Sequence, residues 1–362
     1  MKKKICIYDP GHYKKSMGGA EIQLWILARQ LTKEGYKVIY LTGDYNKAFT
    51  SEDIDIIPFK KNKRRLTNFV YFYNILKGVG ADYYIQRGRK IETFFLGLYS
   101  FFNSNSKSYF FASMDLDCNR YKYMYLRNSS NLLSKTRNYL LDIFTFWGMK
   151  QMDQVFTQTF VQQTKLLSHN ITSEIFRNVH ELEDNIQDTS KEDIIIWIAN
   201  IKNIKRPELF LDFVKKMPDK YKFIMIGRLV EKKYDKEISV IAKKFKNFSY
   251  LGEVDFKDTY NYLSKAKILI NTSSSEGFSN TFIQAWASGS PVISLNVDPD
   301  NLISEKKLGF NCKGSLNTMK DKVINLMDNN DEYQEMSLRC KTFAMTNFEI
   351  KKRISDINKL FE

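Results

Sequence analysis

Residues 271–295 read NTSSSEGFSNTFIQAWASGSPVISL, and their order of residue types decides the fold. An apolar run ends at Asn271 and gives way to a small polar loop. Glu276, Gly277 and Phe278 then lead into Ser279 or Asn280, either of which caps a helix well. Gly289, Ser290 and Pro291 close that helix before the next apolar run. Strand, loop, helix and strand in this order form the repeating unit of a parallel α/β sheet. Gly277 lets the backbone approach a ligand closely, and the helix start offers unpaired N–H groups to an anion.

The same alternation extends in both directions. The spacing predicts strands over 5–8, 38–42, 55–58, 83–86, 109–112, 154–157 and 174–178, then over 194–199, 223–226, 248–251, 268–271 and 291–295. A helix is expected over 20–34, stopped at Gly35. The acidic stretch 181–193, ELEDNIQDTSKED, has no strand pattern and separates the two series. With roughly 150 residues per domain as a guide, 362 residues make two domains. The fold class expected is therefore α/β, two Rossmann-like doubly wound parallel-sheet domains facing a central cleft. They would span 1–185 and 186–345, with 346–362 as a C-terminal helix that packs back on the N-terminal domain.

Composition excludes several classes. A hydrophobic content of 43%, with 6 Pro and 16 Gly, rules out a disordered or collagenous chain. Cys6, Cys118, Cys312 and Cys340 stand too far apart for a zinc ribbon, and three histidines, His12, His169 and His180, argue against a structural zinc. The start MKKKICIYDP loses its apolar character at Asp9, too early for a signal-peptide core. No window approaches the ~20 apolar residues of a membrane span. A reduced, cytoplasmic protein is expected. The net charge of +15 is uneven: residues 1–180 hold 27 Lys+Arg against 14 Asp+Glu, or +13, and the remainder holds 29 against 27, or +2. An anionic surface or ligand is expected to face the first half.

Residues 276–293 resemble the retaining, nucleotide-sugar-dependent glycosyltransferases of family 4, which have the GT-B fold. The family pattern is E-G-F-x-N-x-x-x-E-A-x-A-x-G-x-P-V-(I/V); here Glu276, Gly277, Phe278, Asn280, Gly289 and Pro291 match, and Gln284 replaces the second glutamate. The resemblance implies that Glu276 lies near the transferred sugar, that Gln284 accepts from the donor ribose, and that Ser279, Asn280 and Thr281 start a helix beside the diphosphate. A second matching piece is 197–210, WIANIKNIKRPELF. In similar enzymes a strand ends in Gly-Arg and a lysine begins the next helix; Lys205 falls on the lysine position, Asn200 on the arginine position. Either Lys202 or Arg206 supplies the missing charge, or fewer cations hold the diphosphate.

Gly18, Gly19 and Glu21 follow the first strand and open a helix; together with His12 and Asp115, the resemblance places them toward acceptor or phosphate. This loop is no Walker A or G-x-G-x-x-G fingerprint, so bound ATP or NAD is not indicated. Asp115-Leu116-Asp117 invites a metal reading, but relatives of this type stabilise the leaving diphosphate with protein cations, and no metal or other cofactor is expected. Lys60, Lys61, Lys63, Arg64 and Arg65, beside Phe69, Tyr71, Phe72 and Tyr73, suit an anionic membrane surface; the alternative is a charged loop before a core helix.

The expected activity is retaining transfer of a sugar from a nucleotide-diphosphate donor to a glycan or lipid-linked acceptor in cell-surface polysaccharide synthesis, at the inner face of the cell membrane. The rivals are a nucleotide-sugar epimerase of the same fold and a basic nucleic-acid-binding protein. Against the latter, the charge lies far from the motif loop and no helix-turn-helix, RRM or zinc signature is present, so no nucleic-acid partner is expected.

Overall fold

The computed structural model describes residues 3–15, 18–59, 65–126, 131–182 and 191–361. The chain divides into two compact units, 1–179 with 355–362, and 180–354. The break falls where backbone hydrogen bonds change sides. Both polar groups of the Val179 peptide backbone are held by the Gln23 side chain at 3.0 Å, whereas His180 bonds to the backbone of Phe348 and Ile350.

The first unit runs β1 (Lys4–Tyr8), α1 (Gly19–Lys33), β2 (Lys37–Thr42), β3 (Phe49–Ser51), β4 (Ile54–Pro58), α2 (Arg65–Val79), β5 (Tyr83–Arg87), α3 (Ile91–Phe102), β6 (Lys107–Phe111), α4 (Lys122–Leu126), α5 (Leu132–Lys150), β7 (Gln154–Thr157), α6 (Phe160–Leu167) and β8 (Glu174–Ile175). Its sheet has the order β3-β4-β2-β1-β5-β6-β7-β8, and every pair is parallel except β3 on β4. Strands such as β1, β2 and β5 are apolar on both faces because helices cover both, as a parallel sheet requires.

The second unit runs β9 (Glu192–Ile198), α7 (Pro207–Lys216), β10 (Lys222–Ile226), α8 (Asp235–Lys244), β11 (Phe248–Tyr250), α9 (Thr259–Lys265), β12 (Ala266–Asn271), α10 (Asn280–Ala287), β13 (Val292–Ser294), α11 (Leu302–Glu305), β14 (Gly309–Asn311), α12 (Leu316–Asp328) and α13 (Asn330–Asn347), followed by α14 (Ile354–Lys359) at the change of unit. Its sheet is wholly parallel, in the order β11-β10-β9-β12-β13-β14.

Each sheet reverses its winding once, between β1 and β5 in the first and between β9 and β12 in the second. Loops leaving the carboxyl ends of two such neighbours diverge and leave a crevice for a ligand.

Four features depart from the sequence reading. The β3–β4 hairpin turns through Glu52 and Asp53, both at positive φ, without the Asn-Gly that normally announces such a turn. Strand β14 is a short edge strand whose Gly309 lies so close to the Val292 backbone that a Cβ there would collide with it. The strand expected over 174–178 stops at Ile175, and Asn178 instead accepts from the Arg87 guanidinium at 2.5 Å. The single helix expected over 346–362 breaks. Phe348 packs on Phe278 and Phe343 in the second unit, while Phe361 packs on Tyr83 and Tyr109 in the first.

Candidate functional site

At the β9/β12 reversal two loops are stitched together. Beyond β9 the backbone is fixed on both sides of Asn200, with Ala199 N–H donating to the Ile226 carbonyl and Ile201 N–H to the Arg228 carbonyl. Gly227 permits this approach, since a side chain there would strike the Ala199 carbonyl. A 3-10 turn over Asn203–Lys205 follows, so Lys205 ends this turn and does not begin α7. Helix α7 starts with Pro207 at its first position, preceded by Arg206 at φ 47 and ψ 57. A non-glycine residue in that left-handed conformation costs about 1–2 kcal/mol. The Arg206 Nε–H offsets part of this by donating to the Thr272 carbonyl at 3.0 Å.

From the other side, the loop after β12 meets the first. The Trp197 indole N–H donates to the Thr272 hydroxyl at 3.0 Å, and that hydroxyl donates to the Lys205 carbonyl at 2.8 Å. Ser274 donates through its N–H to the Ile204 carbonyl at 2.9 Å. This clamp brings Lys205 and Glu276, 71 residues apart in sequence, into a direct ion pair. Ser273 Oγ donates to the same carboxylate oxygen, Oε1, at 2.7 Å, and Asn271 Nδ2 to it at 3.5 Å. Burial by itself would push the Glu276 carboxyl up. The Lys205 charge and the bonds from Lys205, Ser273 and Asn271 outweigh it and hold the carboxyl below the usual glutamate value. Glu276 is therefore ionised at neutral pH.

Gly277 and Phe278 are buried behind this pair, Phe278 against Trp286 and Phe348. Ser279 occupies the cap position of α10 but makes no side-chain cap; its hydroxyl pairs with that of Thr281 at 2.8 Å. The partly buried Asn280 opens the helix. Gln284 lies one helical stretch further in and is buried. Its Nε2 donates to Thr259 Oγ1 at 2.7 Å and to the Phe256 carbonyl at 3.3 Å. The amide therefore ties α10 to α9 as a donor, and an ionised glutamate at this position could not donate to the Phe256 carbonyl.

The motif reading had no signal for Trp197, Asn271, Thr272 and Ser273. Each is a common residue type that acquires a role only through the partner that topology gives it.

In the first unit the β1/β5 reversal gathers a second polar set. Asp9, just past β1, accepts from Lys90 Nζ at 2.8 Å and from the Gly11 N–H at 2.9 Å. Glu21 folds back over Gly18, where a Cβ would overlap its carboxylate. Burial raises the carboxyl pKa of both Asp9 and Glu21, each further raised by neighbouring acid and lowered by Lys90. Asp9, Arg87 and Lys90 were not singled out by the sequence, because they lie at the ends of separate strands. Gly19 opens α1, and Gly18 is its cap.

His12 is fully buried among Tyr13, Trp25, Tyr40 and Tyr45, its Nδ1 3.2 Å from the Tyr45 hydroxyl. Burial, with Lys14 nearby, pushes its pKa down to about 4. At neutral pH it is a neutral member of an aromatic core.

The D-x-D pair does not converge. Asp115 accepts from Gln162 Nε2 at 3.0 Å. Asp117 is fully buried and saturated: Oδ1 takes Lys122 Nζ at 2.6 Å and the Arg89 N–H at 2.9 Å, and Oδ2 takes Ser113 Oγ at 2.7 Å and the N–H groups of Ser113 and Met114. Its oxygens hold the loop after β6 together and have no valence left for a cation. No group of three or more His, Cys, Asp or Glu with metal-binding geometry occurs among the described residues. Lys60, Lys61, Lys63 and Arg64 lie outside the described residues, and Arg65 opens α2. Of the aromatics beside them, Phe72 faces the core, 4.8 Å from Tyr8, and Tyr71 is exposed.

Comparison with known proteins falls on the same region. Residues 192–329 match the family described as glycosyl transferases group 1. The chain is 20% identical, over all of its length and 99% of the relative's, to the uncharacterized glycosyltransferase MJ1069 of Methanocaldococcus jannaschii. It is 24% identical to the uncharacterized glycosyltransferase MJ1178 of the same organism over 160 residues, spanning 44% of this chain and 44% of that one. Among solved structures, that of Anabaena Alr3699/HepE in complex with UDP and glucose superposes with a TM-score of 0.76 at 13% identity, covering 99% of both chains. The fold is thus GT-B, two parallel-sheet α/β domains.

Proposed function

We propose that this protein is a retaining glycosyltransferase that moves a sugar from a nucleotide-diphosphate donor to a glycan or lipid-linked saccharide in cell-surface polysaccharide synthesis. The observation that carries the reading is the Lys205–Glu276 pair at the β9/β12 reversal, inside the region that matches group 1 glycosyl transferases. In such a reaction the bond from the anomeric carbon to the diphosphate oxygen breaks, and negative charge grows on the departing phosphate. A preorganised cation aimed at that charge is the largest aid the protein can give. Lys205 is held ready by Glu276, whose counter-charge keeps a largely buried ammonium stable until a diphosphate takes its place.

Glu276 receives all three of its named donors on Oε1, which leaves Oε2 for a sugar hydroxyl. The uncapped first turn of α10 supports the diphosphate from the other side. Lys202 or Arg206 supplies the charge that relatives carry as arginine at the Asn200 position, or fewer cations hold the diphosphate. The acceptor lies on the first unit, near Gly18, Gly19 and Glu21, with Asp9 and Lys90 added to the set and His12 left to the aromatic core. The transfer runs without a divalent cation on this reading, which the engagement of the Asp117 carboxylate within the protein supports by removing one candidate ligand. The protein works in the cytoplasm, peripheral to the membrane.

Thermal stabilisation and slow hydrolysis across a panel of nucleotide sugars, with and without EDTA, test the reading. One donor is expected to raise the melting temperature and be hydrolysed equally in both conditions. No stabilisation by any nucleotide sugar refutes it, and conversion of a donor to its epimer without hydrolysis replaces it with the epimerase.

A further inference from the structure

Helices α3 and α5 touch backbone to backbone where Gly97 meets Gly148; a Cβ at either position would collide with the other helix. Around this contact α5 buries Phe146 and Met149 but also turns polar groups inward and apolar ones outward. Its buried positions include Asn138, Asp142 and Thr145, whereas Leu133, Leu140 and Phe144 are exposed. A helix on the surface of a water-soluble protein shows the opposite distribution.

Leu133, Arg137, Leu140, Phe144 and Trp147 follow one another at i, i+4, i+7, i+11 and i+14, a single stripe. The stripe continues onto α3. Phe144 lies 5.1 Å from Phe94, Trp147 6.1 Å from Phe101, and Phe101 5.1 Å from Phe102. Phe101 is 60% exposed, Phe102 68% and Leu133 80%. A continuous apolar strip of this kind marks an interaction surface.

Charge identifies the partner. The one acid of α3, Glu92, and the one acid of α5, Asp142, are both buried. The exposed charges of α5 are Lys135, Arg137 and Lys150, and α2 contains no acid. Asp153, which follows α5, is engaged by the Ser108 N–H at 2.7 Å and by Ser100 Oγ at 3.2 Å. Exposed aromatics and leucines beside three exposed cations, against one exposed acid, Asp153, match the boundary of a bilayer with anionic headgroups. Pairing with a second copy would set like charge on like. No described helix is long and apolar enough to cross a membrane, so attachment would be to the surface.

We propose that the α3–α5 face docks the protein on anionic membranes, with Phe101, Phe102, Leu133 and Leu140 entering the acyl boundary and Arg137 and Lys150 contacting lipid phosphates. This gives a definite surface to the membrane attachment in the proposed function, and it requires no donor chemistry.

The test is co-sedimentation of the full chain with phosphatidylcholine vesicles, alone or containing about a third phosphatidylglycerol. Wild type is expected on the anionic vesicles, released by high salt. Phe101→Ser with Phe102→Ser should weaken partition by ~10-fold or more, as should Leu133→Ser with Leu140→Ser and Arg137→Glu with Lys150→Glu. Melting temperatures and donor hydrolysis should stay at the wild-type level; having two apolar variants guards against one that fails to fold. The proposal is overturned if wild type ignores anionic vesicles, binds pure phosphatidylcholine equally, or keeps full binding in both apolar variants. It is also overturned if ultracentrifugation shows a wild-type dimer that the Phe101 and Phe102 changes dissolve. A failed donor screen would leave these results standing, and the converse holds too.

Discussion

At the scale of single residues, Lys205 and Glu276 have different debts to each other. Lys205→Ala removes the cation aimed at the leaving phosphate, a loss of about 2–4 kcal/mol in the transition state, or about 30- to 900-fold in kcat. It also strips Glu276 of its largest stabilising partner. Steady-state kinetics with the donor found in the screen check this; turnover within threefold of wild type would show that the pair is only structural. Glu276→Ala should lower kcat by ~100-fold or more with little change in nucleotide affinity. Gln284 behaves differently, because its amide is spent on Thr259 and the Phe256 carbonyl. Gln284→Glu sets a buried carboxylate against that carbonyl, at a cost of about 1–3 kcal/mol. A melting temperature lower by several degrees is expected together with a changed donor KM and a kcat within a few-fold, measured by calorimetry and kinetics. An unchanged melt would mean that the amide bonds contribute nothing.

At the scale of elements, the 3-10 turn after β6 shows how one carboxylate organises a loop. Burial would push the Asp117 carboxyl up, but Lys122 and the donors from Arg89 and Ser113 overcome this and hold it well below the usual aspartate range. A folded-state pKa below the unfolded value of ~3.9 adds stability above that pH and loses it as pH falls toward the folded value. Asp117→Asn should therefore destabilise the protein at pH 7, by about 3–5 kcal/mol, because it leaves the buried Lys122 without its partner. The variant should also lose part of the wild-type decline below about pH 4. Urea melts at pH 7, 4 and 3 would read both effects, and a variant as stable as wild type at pH 7 would refute the assignment.

At the scale of the whole molecule, each unit holds one buried neutral histidine, His12 in the first and His180 in the second. Burial pushes both down to about 4; Lys14 helps at His12, and a bond with Asn280 opposes at His180. Between the ordinary value of 6.5 and about 4 the unfolded chain binds a proton that the native state refuses. The stability that the two histidines contribute should be lost as pH falls across that window in both units, and their share of the loss should be complete below it. His180→Gln, which retains a polar partner for Tyr260, should remove the decline from the second unit alone. Chemical denaturation from pH 7 to 4.5 measures it; the same pH dependence in wild type and His180→Gln would contradict the burial of the His180 ring.

The motif loop at 271–295, the alternation of strands and helices and the glycine and proline stops all act through neighbours close in sequence, so local patterning made the fold class legible. Lys205 and Glu276 were singled out by the resemblance of their two loops to family motifs, and their roles stand as proposals. Their pairing was not legible, nor was the clamp of Trp197, Asn271, Thr272 and Ser273 around them: it exists because β9 and β12 lie side by side at a reversal of winding, which brings residues about 70 positions apart within hydrogen-bond range. Asp9, Arg87 and Lys90 meet at β1 and β5 for the same reason. Burial decided the rest. Asp117 and His12 are chemically reactive types that the tertiary structure turns into structural ones, one by saturating its lone pairs and the other by enclosing it in aromatic rings, and neither saturation nor enclosure is a property of a residue and its sequence neighbours.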